Sequence, residues 1–334
     1  MKHLVFLIVI STLVGSCKGI EGLQTQKKWR KLSIDLTEKA ETTTIKLGQN
    51  HYIAYLTYAN ALLYGWKHEK VKTKLNALYE EIEKNGYGLG YSWDAFQDGS
   101  VNPDTTNYTI TITDHVGLVL LKGYLAGVVE EARIHHLVNA LQRIPLADSI
   151  KLGNCLAYSD SPYDQIGCVH NVNISAAQFL NSINVLTNLK VKNIDYEIDQ
   201  ILTREINSYQ PAEKNFLYWD GGSRLTDQNH LAFQVWCMLD LDKSKLDVIA
   251  EEILDSLIVN REKTISALIG QLRLLTYNDT NANSIMTELL LLLSNHKPTL
   301  DEYKIINKLD NPRELAQLAV WSAVYSKYLQ GNTW

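Results

Sequence analysis

The sequence predicts an all-α chain, arranged as an α/α toroid of about six helical hairpins with long loops on one rim. Three observations carry that expectation. Apolar residues recur at helical spacing from Asn50 onward, and only Tyr108-Thr109-Ile110-Thr111-Ile112 alternates as a strand does. The helical segments are of two kinds, which alternate: some are apolar on nearly every face, others carry one apolar stripe. The apolar kind begins near residues 50, 114, 173, 227 and 312, with one more between 262 and 283, and the first three intervals are about 55–65 residues. A helix apolar all round must be enclosed by protein and a striped one lies outside it, so the pattern reads as an inner ring wrapped by outer helices.

Taken in chain order, residues 1–16 read as an export signal. Met1-Lys2-His3 is basic, Leu4 to Val14 is apolar but too short to span a bilayer, and small residues follow. Val14-Gly15-Ser16-Cys17 resembles a bacterial lipobox, which implies that Cys17 becomes the acylated first residue of a protein of the cell envelope. No later stretch approaches the ~18 apolar residues of a membrane span, so lipid alone is the expected membrane attachment. Residues 17–48 are polar and rich in Lys and Thr, and read as a tether with one short element. Residues 49–334 then form a single domain. Its helices are expected near 50–65, 68–84, 114–128, 130–143, 173–187, 191–208, 227–240, 243–258, 262–275, 283–295, 300–308 and 312–329. The last is the best marked, with Asn311 as N-cap, Pro312 and Glu314 in the first turn, and Gly331 beyond its end.

Composition narrows the function classes. A chain of 334 residues with 46% hydrophobic and 21% charged residues is neither disordered nor fibrous. Its net charge is −5, or −6 once Lys2 leaves with the signal, and no long basic tract offers a footprint for nucleic acid. Cys155 and Cys168 share one polar Gly/Ser/Pro-containing stretch and are expected to form a disulfide closing a surface loop. Cys237 stands among apolar residues and reads as buried, which disfavours a cysteine nucleophile.

Chemistry is expected where the inner helices begin. Long loops precede them: Gly86 to Tyr108, Asn154 to Asn173, and Phe216 to Arg224. Four of the nine His fall at those starts: His51, His115, His170 and His230. Helix N-termini present unpaired N–H groups and positive dipole ends, which suit an anionic or polyhydroxyl ligand and keep imidazole neutral. Tyr 18 and Trp 7 outnumber Phe 5, and rings with a polar edge can stack on sugars while bonding to hydroxyls. His51, His115, His170, Asn171, Trp93, Tyr91, Tyr218, Trp219 and Arg224 are therefore the expected glycan-binding residues.

Asn229-His230, followed by Leu231-Ala232-Phe233-Gln234-Val235-Trp236, resembles the helix start of α/α-toroid polysaccharide lyases of the alginate and chondroitin lyase kind. The resemblance implies that Asn229 and His230 neutralise a uronate carboxylate, while a tyrosine moves the protons of a β-elimination. That family's Tyr close after the His is absent here, because Leu231 and Ala232 stand there, so Tyr108, Tyr218 or Tyr91 has to serve. A glycoside hydrolase on the same ring needs two facing carboxylates, for which Asp94, Asp114, Asp220 and Asp227 are the rim candidates, Asp114 with Asp227 being one such pair. A non-catalytic surface protein binding a glycan or a partner through the same cleft is the third reading. His115, His170, His230 and Asp227 lack the tight spacing of a zinc motif, and no phosphate-binding glycine loop occurs, so no metal and no cofactor are expected.

Overall fold

The computed structural model describes residues 23–43, 49–146, 155–165, 167–189, 194–220, 222–241 and 311–329, with short stretches between 246 and 274. The signal, Cys17 and the helices expected at 283–295 and 300–308 lie outside the described residues. The chain is mostly helical. In order come α1 (23–42), α2 (Gln49–Tyr64), α3 (Glu69–Asn85), a π-helical turn (Thr111–His115) running into α4 (Val116–Leu125), and α5 (Glu131–Leu141). They are followed by α6 (His170–Leu186), α7 (Ile194–Asn207), α8 (Gln228–Leu241) and α9 (Pro312–Tyr328). Two short antiparallel strands, β1 (Tyr209–Gln210) and β2 (Asn215–Phe216), pair between α7 and α8.

Local chemistry sets the helix ends. Asn311 accepts from the backbone N–H groups of Arg313 and Glu314, and Pro312 occupies a position that needs no donor. Asp227 accepts from Asn229 N and His230 N and so opens α8. α3 stops at Gly86, whose φ of +60° suits glycine. α6 begins at His170 rather than at the expected 173, because Tyr218 O takes the His170 N–H in place of a capping side chain.

Two expectations are corrected. The polar segment 17–48 is not simply a tether, since residues 23–42 form a helix of the core. Its buried stripe is Gln26, Trp29, Ser33, Leu36, Thr37 and Ala40, helically spaced but half polar, which is why hydrophobicity alone concealed it. Ser33 Oγ donates to Ala319 O at 2.7 Å, Ser326 Oγ donates to Gln26 O, and Trp29 meets Tyr325 edge-on. The strand-like alternation at 108–112 is instead the entry to α4. Gly117 explains the π-turn there: a Cβ on it would stand 2.1 Å from Ile112 O.

α2 packs against α3, α4 and α9, α4 against α5 and α6, and α6 against α7 and α8. Gly270 lies against Ala232 and the backbone of Asn229, so the stretch at 269–270 flanks α8. Cys155 and Cys168 are bonded with Cα atoms 5.8 Å apart, both buried, and close a loop that exposes Asp160, Pro162 and Tyr163.

If α1 is core, Trp29→Ala should cost about 3–5 kcal/mol in urea unfolding. A loss below about 0.5 kcal/mol would mark the segment as a tether after all.

Candidate functional site

The first turns of α6, α8 and α9 and the turn into α4, joined by Tyr55 nearly two turns into α2, line one cleft of about 220 Å³. Of the residues singled out in the sequence, it brings together Asp114, His115, Asn171, Tyr218, Asn229 and His230. Tyr158, a rim-loop aromatic of the kind expected to stack on sugars, and the N-cap Asn311 also line it, whereas Tyr55, Arg273, Arg313, Glu314 and Gln317 were not foreseen. Arg313 and Glu314 could have been, because they occupy the first turn after the Asn311-Pro312 signal, as His230 does after Asp227. Tyr55 lies more than a turn into α2, and Arg273 lies in the least regular part of the sequence.

The floor is a buried ionic cluster. Tyr55 OH donates to Asp114 Oδ2 at 3.3 Å and accepts from Gln317 Nε2 at 3.1 Å. Arg273 Nη2 stands 3.9 Å from the same carboxylate oxygen, with its guanidinium over Phe233, Trp236 and Trp321. Burial pushes Asp114 up, against the pull of Arg273. His115 stacks on His51 with ring centroids 3.6 Å apart, and His51 Nε2 meets Thr111 Oγ1 at 2.6 Å. Burial holds both imidazoles well below their usual range, and their mutual repulsion lowers His115 further. Both are neutral, through burial rather than the helix dipole, and His51 stands behind His115 and does not line the cleft.

On the opposite wall, His230 Nδ1 is 2.5 Å from Asp227 Oδ2. Burial opposes the charge of Asp227, yet the bonds from His230 and from the backbone of α8 outweigh it and hold the carboxyl low. Asp227 is thus an ionised partner that orients His230, and it does not line the cleft. Tyr218 meets His230 edge-on at 5.5 Å and carries Arg224 over its ring at 4.7 Å. Burial raises the Tyr218 phenol, against Arg224, so it keeps its proton at neutral pH. Asn171 Oδ1 and Asn229 Oδ1 are buried and have no hydrogen-bond partner among the described residues.

Other expected site residues fall elsewhere. Tyr108 is fully buried, receives Asn102 Nδ2 at 3.3 Å, and packs against Trp93 and Tyr158, so it does not reach the cleft to move protons. Trp93 forms a second layer behind Tyr158, and Trp219 stacks on Phe96 at 5.1 Å. Tyr91 is half-buried and also outside the lining.

His170 is wholly buried rather than open to a ligand. Its Nδ1 lies 3.2 Å from Glu205 Oε1 and its Nε2 3.1 Å from Asp220 Oδ1, while Arg204 Nη1 reaches Asp220 Oδ2 at 3.3 Å. Burial works against the imidazolium, but the two carboxylates prevail and raise it to about 9. This cluster pins Asp220 beside Cys168, and the His170 N–H holds Tyr218 O, which fixes the wall carrying Tyr218.

The stabilisation from a raised imidazole is complete below its unfolded value of 6.5 and is lost as pH rises through about 9. Urea unfolding of the parent protein should therefore lose on the order of 2 kcal/mol more between pH 7 and pH 10 than that of His170→Gln. Equal losses would show that His170 is not charged in the fold. No protein-family model, curated protein or solved structure gives a significant match to this chain.

Proposed function

We propose that this chain is an exported, Cys17-anchored α/α toroid whose cleft cleaves a uronate-containing glycan by β-elimination. The observation that carries the reading is the contact of His230, oriented by an ionised Asp227, with the protonated phenol of Tyr218 on one wall of a polar cleft. Ring closure is supported by Gly270, which packs on α8, and by Arg273, which reaches Trp321 of α9, itself packed on α2.

The roles follow from charge and protonation. Arg313, with the amides of Asn171 and Asn229, neutralises the uronate carboxylate and so acidifies the C–H beside it. His230 takes that proton through Nε2, its Nδ1 being held by Asp227. The electron pair forms the carbon–carbon double bond, the glycosidic C–O bond breaks, and Tyr218 protonates the departing oxygen. Compared with the family pattern, His230 moves from neutraliser to base, and Tyr218 replaces Tyr108 as the acid.

Hydrolysis is the second reading, favoured by Asp114 and Glu314 lining the same cleft. It ranks lower because Asp114 is already engaged by Tyr55 and Arg273.

The mature chain from Lys18, incubated with uronate and neutral glycans, should produce reducing ends together with the ultraviolet absorbance of an unsaturated uronate. Asn229→Ala/His230→Ala and Tyr218→Phe should each lose roughly 10²–10⁴-fold in rate. Reducing ends without absorbance would establish hydrolysis, and full activity in the double variant would overturn the site. In cells, fatty-acid label should appear on the parent protein and vanish in Cys17→Ser.

A further inference from the structure

The end of the molecule opposite the cleft has its own chemistry. The N-terminal ends of α2, α4, α6, α8 and α9 face the cleft, so their C-terminal ends lie at the far end. Large apolar side chains are exposed there: Leu125 ends α4, Val185 and Leu186 end α6, and Tyr328 ends α9, with Val185 70% exposed. α1 begins at the same end. Gln26 O accepts from Ser326 Oγ near the end of α9, and Arg30 Nη2 donates to Leu63 O near the end of α2. Leu23, at the start of α1, is also exposed.

The charge of α1 is graded along its length. Residues 23–34 contain Lys27, Lys28, Arg30 and Lys31, all exposed, and no acid, whereas Asp35, Glu38 and Glu41 stand toward the cleft end. The acids of the far end, Glu69, Glu130, Glu131 and Asp240, belong to other helices. A cluster of exposed Lys and Arg beside isolated apolar side chains matches the interface of an anionic bilayer. Cys17 lies six residues before Leu23, a reach of at most ~20 Å for extended chain, so an acyl chain there enters the membrane next to this same end.

We propose that this far end, made of the basic first half of α1 and the apolar ends of α4, α6 and α9, docks on an anionic lipid bilayer. The body then stands on the membrane with α1 leading away from it over ~30 Å, and the cleft opens to the aqueous side. Its ligand is accordingly a water-borne polymer rather than a glycan held at the lipid surface. The orientation rests on the anchored reading of Cys17, whereas the docking surface itself does not require acylation.

The test uses the unacylated mature chain from Lys18 with vesicles of phosphatidylglycerol and phosphatidylcholine, against phosphatidylcholine alone. Co-sedimentation should favour the anionic vesicles and weaken with salt. Lys27→Glu/Lys31→Glu should bind at least tenfold more weakly, and Val185→Ser/Leu186→Ser severalfold more weakly. Lys84→Glu/Arg143→Glu, an equal charge reversal at the cleft end, should bind as the parent does, with circular dichroism confirming that all are folded. A fluorophore on Val185→Cys should be quenched by nitroxide lipid and one on Arg143→Cys should not. No preference for anionic vesicles, equal loss in both charge-reversal pairs, or quenching only at position 143 would overturn the proposal. Vesicle binding intact with Cys17 unlabelled by fatty acid removes the anchor and keeps the surface. Binding lost with Cys17 acylated removes the surface and keeps the anchor.

Discussion

A guanidinium enclosed by three aromatic rings holds the functional end of this protein together. Arg273 lies over Phe233 and Trp236 of α8 and Trp321 of α9, and faces Asp114 at the entry to α4. An unpaired charge at that depth would cost several kcal/mol, so carboxylate and guanidinium must be placed together or not at all. Tyr55 and Gln317 extend the cluster to α2 and α9. One buried ion pair therefore fixes the mutual placement of the helices whose first turns form the cleft.

The histidines of the inner helix starts divide into three electrostatic classes, and the division makes chemical sense. His51 and His115 are stacked, buried and neutral, and behave as floor. His170 is charged between two carboxylates and behaves as a clamp on the wall. His230 couples the Asp227 carboxylate to a more exposed part of the cleft. Repetition at one fold position thus supplies buried structure three times and, in the function proposed, proton transfer once.

Much of this is legible in the sequence, for reasons that particular residues make plain. Asn311-Pro312 and Asp227 announce helix starts through side-chain capping, and Asn229, His230 and Asp114 are found in or beside the first turns of α8 and α4. The start of α6 lies about one turn before its expected position because a loop carbonyl, not a cap, receives its first N–H. α1 escapes a hydrophobic pattern because Ser33, Thr37 and Gln26 stand on its buried face, where their polar atoms meet α9 or their own helix. Asp227 reads as an acid catalyst because a capping carboxylate and a catalytic one look alike until the imidazole beside it is seen. Tyr108 is favoured by its loop position, and only packing shows it sealed beneath Trp93 and Tyr158.

The fate of one hydrogen tests the central account most directly. A uronate oligosaccharide deuterated at the carbon next to its carboxylate would be turned over by the mature protein and its products weighed by mass spectrometry. Proton abstraction by His230 predicts that the deuterium passes to water and that the sugar formed beyond the broken bond is unsaturated. A product that keeps its deuterium and gains a water molecule would contradict the account and transfer the chemistry to Asp114 and Glu314.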